Sequence, residues 1–96
     1  MSTLHTVNKP PSSGLFASCT KLLQPGDAVL FIEDGVYCGL DSALNDNEIT
    51  SVRYFSLKED TEARGLNSAK ITKAKLVNTL EFVKLCERYD KILSWF

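Results

Sequence analysis

Apolar positions in this chain come in short blocks separated by Pro, Gly and polar clusters, and the blocks alternate in character. Near the start, LHTV (4–7) is a short apolar and β-branched run that stops at NKPPSSG, where Pro10 and Pro11 forbid a strand interior. Ser12 or Ser13 can cap a helix over GLFASCTKLL, in which Leu15, Cys19 and Leu22 fall at i, i+4 and i+7 with Phe16 and Leu23 beside them. Pro25 and Gly26 end that helix. AVLFI (28–32) is too short for an ordinary helix and apolar on both faces, the pattern of a buried parallel strand.

The second half repeats the alternation. Val36, Leu40 and Leu44 fit one face of a short helix interrupted by Gly39, followed by a polar loop, NDNEIT. SVRYFS alternates and is rich in strand-forming residues. Ser56 and Glu59 have capping-box spacing ahead of a short helix that Gly65 can close in left-handed geometry. KAKLVN reads as a strand. NTLEFVKLCERYD reads as a helix capped by Asn78 with Glu81, its Phe82, Cys86 and Tyr89 on one face, and KILSWF as a last strand. The order β-α-β-(α)-β-α-β-α-β predicts one α/β domain over residues 1–96: a three-layer α/β/α sandwich on a mainly parallel sheet of about five strands. Sites in such sheets lie beyond the carboxyl ends of the strands, here the loops 8–13, 33–36, 56–58 and 78–79.

Composition narrows the function classes. A formal charge of −1 gives no electrostatic footprint for direct nucleic-acid binding. No apolar run approaches a membrane span, and the first residues lack the pattern of a signal peptide, so a cytoplasmic protein is expected. Three widely spaced cysteines and one histidine predict free thiols and no metal site. The chain has no glycine-rich phosphate loop and no nucleophile elbow. Glu33, Asp34, Gly35 and Tyr37 form a candidate binding loop at a strand end, although acidic residues before a glycine are also ordinary turn chemistry. His5 lies mid-strand, where a satisfied structural histidine is the commoner case. Cys38 lies near a strand end, but Glu33 and Asp34 oppose a thiolate there, while Cys19 and Cys86 sit on core-facing helical stripes. Trp95 and Phe96 either tuck into the core or anchor an interface.

The segments LHTVNKPP, EDGVY, EARGL, EFVKL and LSW, in this order, resemble the DsrH/TusB family over nearly the whole chain. The resemblance implies a DsrE/DsrF/DsrH-like fold. It further implies a structural or sulfur-carrier subunit of a cytoplasmic sulfur-relay hetero-oligomer rather than an independent enzyme. The expected partners are related TusC/TusD-like or DsrE/DsrF-like subunits, with carriers upstream and downstream and no cofactor. The relay would pass persulfide sulfur toward 2-thiouridine at the tRNA wobble position, or serve intracellular sulfur oxidation. The family's main sulfur-carrying cysteine belongs to a partner chain. DsrH-type chains carry a cysteine in the first helix, which matches Cys19, the better candidate for a persulfide carrier, whereas many TusB-type chains lack it; Cys38 then reads as a core or subsite-lining residue. The alternative is a small-ligand or regulatory binding module without sulfur transfer, using the loop at Asp34, Gly35 and Tyr37.

Overall fold

The structure is a computed structural model that describes residues 2–44 and 51–96; the loop expected at NDNEIT lies outside the described residues. Five strands form one sheet in the order β4-β3-β2-β1-β5: β1 (Thr3–Val7), β2 (Ala28–Phe31), β3 (Arg53–Leu57), β4 (Lys75–Val77) and β5 (Lys91–Trp95). Every neighbouring pair is parallel. The helices are α1 (Leu15–Thr20), α2 (Lys58–Ala63) and α3 (Thr79–Arg88), joined by 3-10 segments at Pro11–Ser13, Glu33–Gly39 and Ser68–Lys70.

The period-2 alternation of the strands divides the core in two. On one face Val7, Val29 and Phe31 pack with Phe16 and Cys19 of α1, with Val36 and Cys38 of the Glu33–Gly39 segment, and with Ile71 and Ala74. On the other, Leu4, Ala28, Leu30, Phe55 and Val77 meet Phe82, Leu85 and Cys86 of α3 and Tyr89 just after it. β2 is buried along its whole length because it has strands on both sides and a layer on both faces. The three-layer arrangement expected from the sequence is the one observed.

Local chemistry explains both agreement and departure. Asn78 accepts from the Glu81 N–H and Glu81 returns the bond to the Asn78 N–H, both at 2.9 Å, so α3 begins at the expected capping box. Gly65 closes α2 at φ 65°. The box expected from Ser56 and Glu59 does not form. Leu57 occupies the N-cap, Ser56 is fully buried in β3 with its hydroxyl unpartnered among the described residues, and Glu59 instead accepts from Thr79 N and Oγ1 at 3.1 Å. The acid thus links the start of α2 to the start of α3. The α1 helix stops at Thr20, short of Pro25, so Leu22 turns outward and Leu23 takes the core position.

Candidate functional site

The carboxyl ends of the strands gather Asn8 and Lys9 after β1, the Glu33–Gly39 segment after β2, and α2 after β3. In the Glu33-Asp34-Gly35 sequence the left-handed residue is Glu33, at φ 50°, and not the glycine. Its N–H donates to the Asp60 carboxylate at 2.6 Å, which holds the strained residue from the first turn of α2. Asp34 accepts from Arg64 Nε at 2.8 Å, and this carboxylate holds the guanidinium further above its already high ordinary value. Tyr37 lies half-buried in the same segment. Gly35 is buried against the end of β1: a Cβ there would run into the Val7 carbonyl oxygen and lie 2.7 Å from its carbon. The four sequence-selected residues therefore share one segment, but Asp34 and Gly35 are committed to internal contacts.

The thiols occupy a different environment. Cys19 and Cys38 are both 0% exposed and lie in the same core cluster. Burial pushes the Cys19 thiol up to about 12, helped by the Asp27 charge and by Cys38. Burial alone pushes Cys38 up to about 11, and its sulfur lies 3.6 Å from the Lys9 carbonyl as a weak donor. Burial, and then Glu87, also raise the Cys86 thiol. These environments oppose thiolate formation at all three sulfurs.

Trp95 and Phe96 part company. Trp95 packs against the core and its Nε1–H donates to His5 Nδ1 at 3.1 Å, whereas Phe96 is 79% exposed. His5, 2% exposed, holds its other ring nitrogen 3.1 Å from an Asp27 oxygen. Because Nδ1 accepts from the indole, Nε2 carries the proton and donates to the carboxylate. Asp27 also accepts from the Thr3 and Gln24 N–H groups at 3.0 Å. Burial pushes this carboxyl up, but those hydrogen bonds, from Gln24, His5 and Thr3, outweigh it and hold Asp27 below its ordinary range. Sequence reading identified His5 as structural but missed Asp27, which follows a Pro-Gly turn and reads there as loop chemistry. Among the described residues no group of three His, Cys, Asp or Glu side chains is placed to hold a metal ion, and no helix is long and apolar enough to cross a membrane.

The fold and this arrangement define a parallel α/β/α domain in which Cys19 and Cys38 are enclosed and the strand-end loop is braced from within. The family described as "DsrH like protein" matches residues 9–92, and the chain belongs to it. The protein named Protein TusB from Photorhabdus laumondii is 34% identical over 94 residues, covering 96% of this chain and 99% of the relative. Protein TusB from Salmonella typhimurium is 35% identical over 97 residues, with the same coverage. The solution structure of protein Tm0979 from Thermotoga maritima superimposes with a TM-score of 0.70 at 22% identity, over 90% of this chain and 92% of that one, and so shares the fold.

Proposed function

We propose that this chain is a subunit of a cytoplasmic sulfur-relay complex in which it completes the assembly around related subunits of TusC/TusD or DsrE/DsrF type. Its membership of the DsrH-like family over residues 9–92 carries this reading. Persulfide transfer begins with thiolate attack on sulfur. A thiol at about 12 is ionised in roughly one molecule in 10⁵ at neutral pH, so Cys19 in this environment is a poor acceptor. The supporting role is therefore the stronger version, with sulfur held on a partner chain and delivered toward tRNA wobble 2-thiouridine. The ligand-module alternative at Glu33, Asp34, Gly35 and Tyr37 is weaker, since Asp34 and Gly35 there already serve internal contacts.

Intact mass of the complex after exposure to a persulfurated donor protein separates the two versions. Added sulfur is expected on a partner chain and none here, with Cys19→Ser behaving as wild type. Sulfur on this chain that disappears in Cys19→Ser would make Cys19 a carrier and reject the supporting role.

The surface for assembly is proposed at β5. It is an edge strand, with Ile92 and Leu93 exposed along it and Phe96 exposed just beyond it, while Trp95 is turned inward. An apolar edge strand presents unpaired backbone groups beside apolar side chains. Phe96→Asp is expected to reduce co-purification with the related subunits while leaving the melting temperature of the isolated chain unchanged. Undiminished recovery would move the interface elsewhere.

A further inference from the structure

The starts of β3 and β4 and the C-terminal end of α3 enclose a cleft of about 540 Å³, lined by Arg53, Lys73, Lys75 and Arg88 above Val52, Phe55 and Ala74. It adjoins a second concavity that shares Lys75 and Arg88 and adds Lys84, and a third that shares Arg53 and Arg88. Lys73 is engaged, its Nζ donating to the Leu44 carbonyl at 3.2 Å. Arg53, Lys75, Lys84 and Arg88 are exposed, and among the described residues none of their side chains has an ion pair or hydrogen bond. The two acids that border these concavities make no ion pair with these cations: Glu81 accepts in the α3 capping box, and Asp27 accepts from His5, Thr3 and Gln24.

Four cations with no ion-pair partner among the described residues, from three elements, therefore border adjoining concavities in a chain whose net charge is −1. Lysines on an edge strand guard it against pairing, which accounts for Lys75. That reading does not explain Lys84 and Arg88, which come from a helix, or Arg53, which lies one strand further in. Arg88 also suits the negative end of α3, but that benefit needs no second arginine facing the same space.

We propose that this cleft binds a small ligand bearing two or more phosphoryl groups. Its volume falls within the range of small-molecule sites, roughly 300–1,000 Å³. Arginine forks pair bidentately with phosphate oxygens, and clustered positive charge favours a ligand that concentrates several negative charges in little volume. This inference stands apart from the assembly reading, since β5 lies at the opposite edge of the sheet.

The test is titration of the full chain with sodium tripolyphosphate, followed by calorimetry and by amide chemical shifts. Saturable binding is expected, with shifts confined to the start of β3, β4 and the end of α3, and weakening as salt rises. Arg53→Gln with Arg88→Gln should weaken it by at least about tenfold, while Lys58→Gln, outside the cleft, leaves it unchanged. All these side chains are exposed, and an unchanged melting temperature verifies folding of each variant. Both anions fit an arginine fork, but citrate carries less negative charge than tripolyphosphate at neutral pH and should bind more weakly. The proposal is overturned by absence of saturable binding, by shifts elsewhere, by cleft variants that bind like wild type, or by citrate binding equally well. It is also overturned by a single-stranded oligonucleotide that binds where tripolyphosphate does not, which would assign the patch to an extended nucleic-acid backbone.

Discussion

Gly35→Ala is expected to cost about 3 kcal/mol or more, lowering the melting temperature by roughly 10–25 °C for a domain of this size. The added methyl would collide with the Val7 carbonyl oxygen and crowd Asn8 Cα, and both neighbours are backbone. A side chain can rotate away from such a contact, but a strand end cannot. The Glu33–Gly39 segment would have to lift off β1. That would stretch the Ile32 N–H to Val7 O bond of 3.0 Å and the Glu33 N–H to Asp60 bond of 2.6 Å, and disturb the packing of Val36 and Cys38. Gly39 supplies the control. A Cβ there meets the Ser56 hydroxyl, a side-chain atom with no partner among the described residues. Gly39→Ala should therefore be destabilising alone and substantially rescued by Ser56→Ala, whereas no single side-chain deletion should rescue Gly35→Ala. Urea unfolding of Gly35→Ala, Gly39→Ala, Ser56→Ala and the Gly39→Ala/Ser56→Ala double variant checks this. A Gly35→Ala protein within about 1 kcal/mol of wild type would mean that the segment does not rest on the end of β1.

These two glycines also show where sequence reading reached its limit. The layer order was legible because it depends on local patterns: the run AVLFI, the Asn78–Glu81 box and Gly65 after α2 each act over a few residues. The role of Gly35 was not legible, because it comes from a contact with a strand 28 positions earlier in the chain. A glycine after two acids reads as a turn, yet the left-handed conformation belongs to Glu33 and is braced by Asp60 from another crossover. Ser56 failed for the same reason. Its spacing to Glu59 fits a cap, but the strand runs one residue further, to Leu57, and draws the hydroxyl into the core. At the candidate site, the core-facing stripe correctly placed Cys19 inside. The charge that raises its thiol further comes from Asp27, which lies after the turn that ends α1 and not on the helical stripe that sequence periodicity reads.

Asp27 is the second position at which a single substitution should have a large effect. Its two oxygens accept three hydrogen bonds: Oδ1 from the Thr3 N–H, and Oδ2 from the Gln24 N–H and from His5. An asparagine offers one oxygen. Whichever way its amide turns, an N–H₂ group faces at least one of these N–H donors, so Asp27→Asn is expected to cost about 2–4 kcal/mol at neutral pH. The loss should spread to β5, because His5 then lacks the carboxylate that fixes its tautomer, and Trp95 depends on the free Nδ1 of that ring. The pH dependence follows from the lowered ionisation of Asp27. A carboxyl held below its unfolded value of about 3.9 stabilises the fold above that pH and loses this contribution as the pH falls through the folded value. Asp41 and Glu59 are lowered as well and contribute to acid unfolding in both proteins. The informative quantity is therefore the difference between wild type and Asp27→Asn, which should be widest near neutrality and narrow steadily below about pH 4. Trp95 is the only tryptophan, so its fluorescence reports the network and the unfolding transition together. A stability gap that stays constant down to pH 2.5–3 (about one unit below the unfolded carboxyl value) would show that the Asp27 charge is not what holds His5 and Trp95 in place.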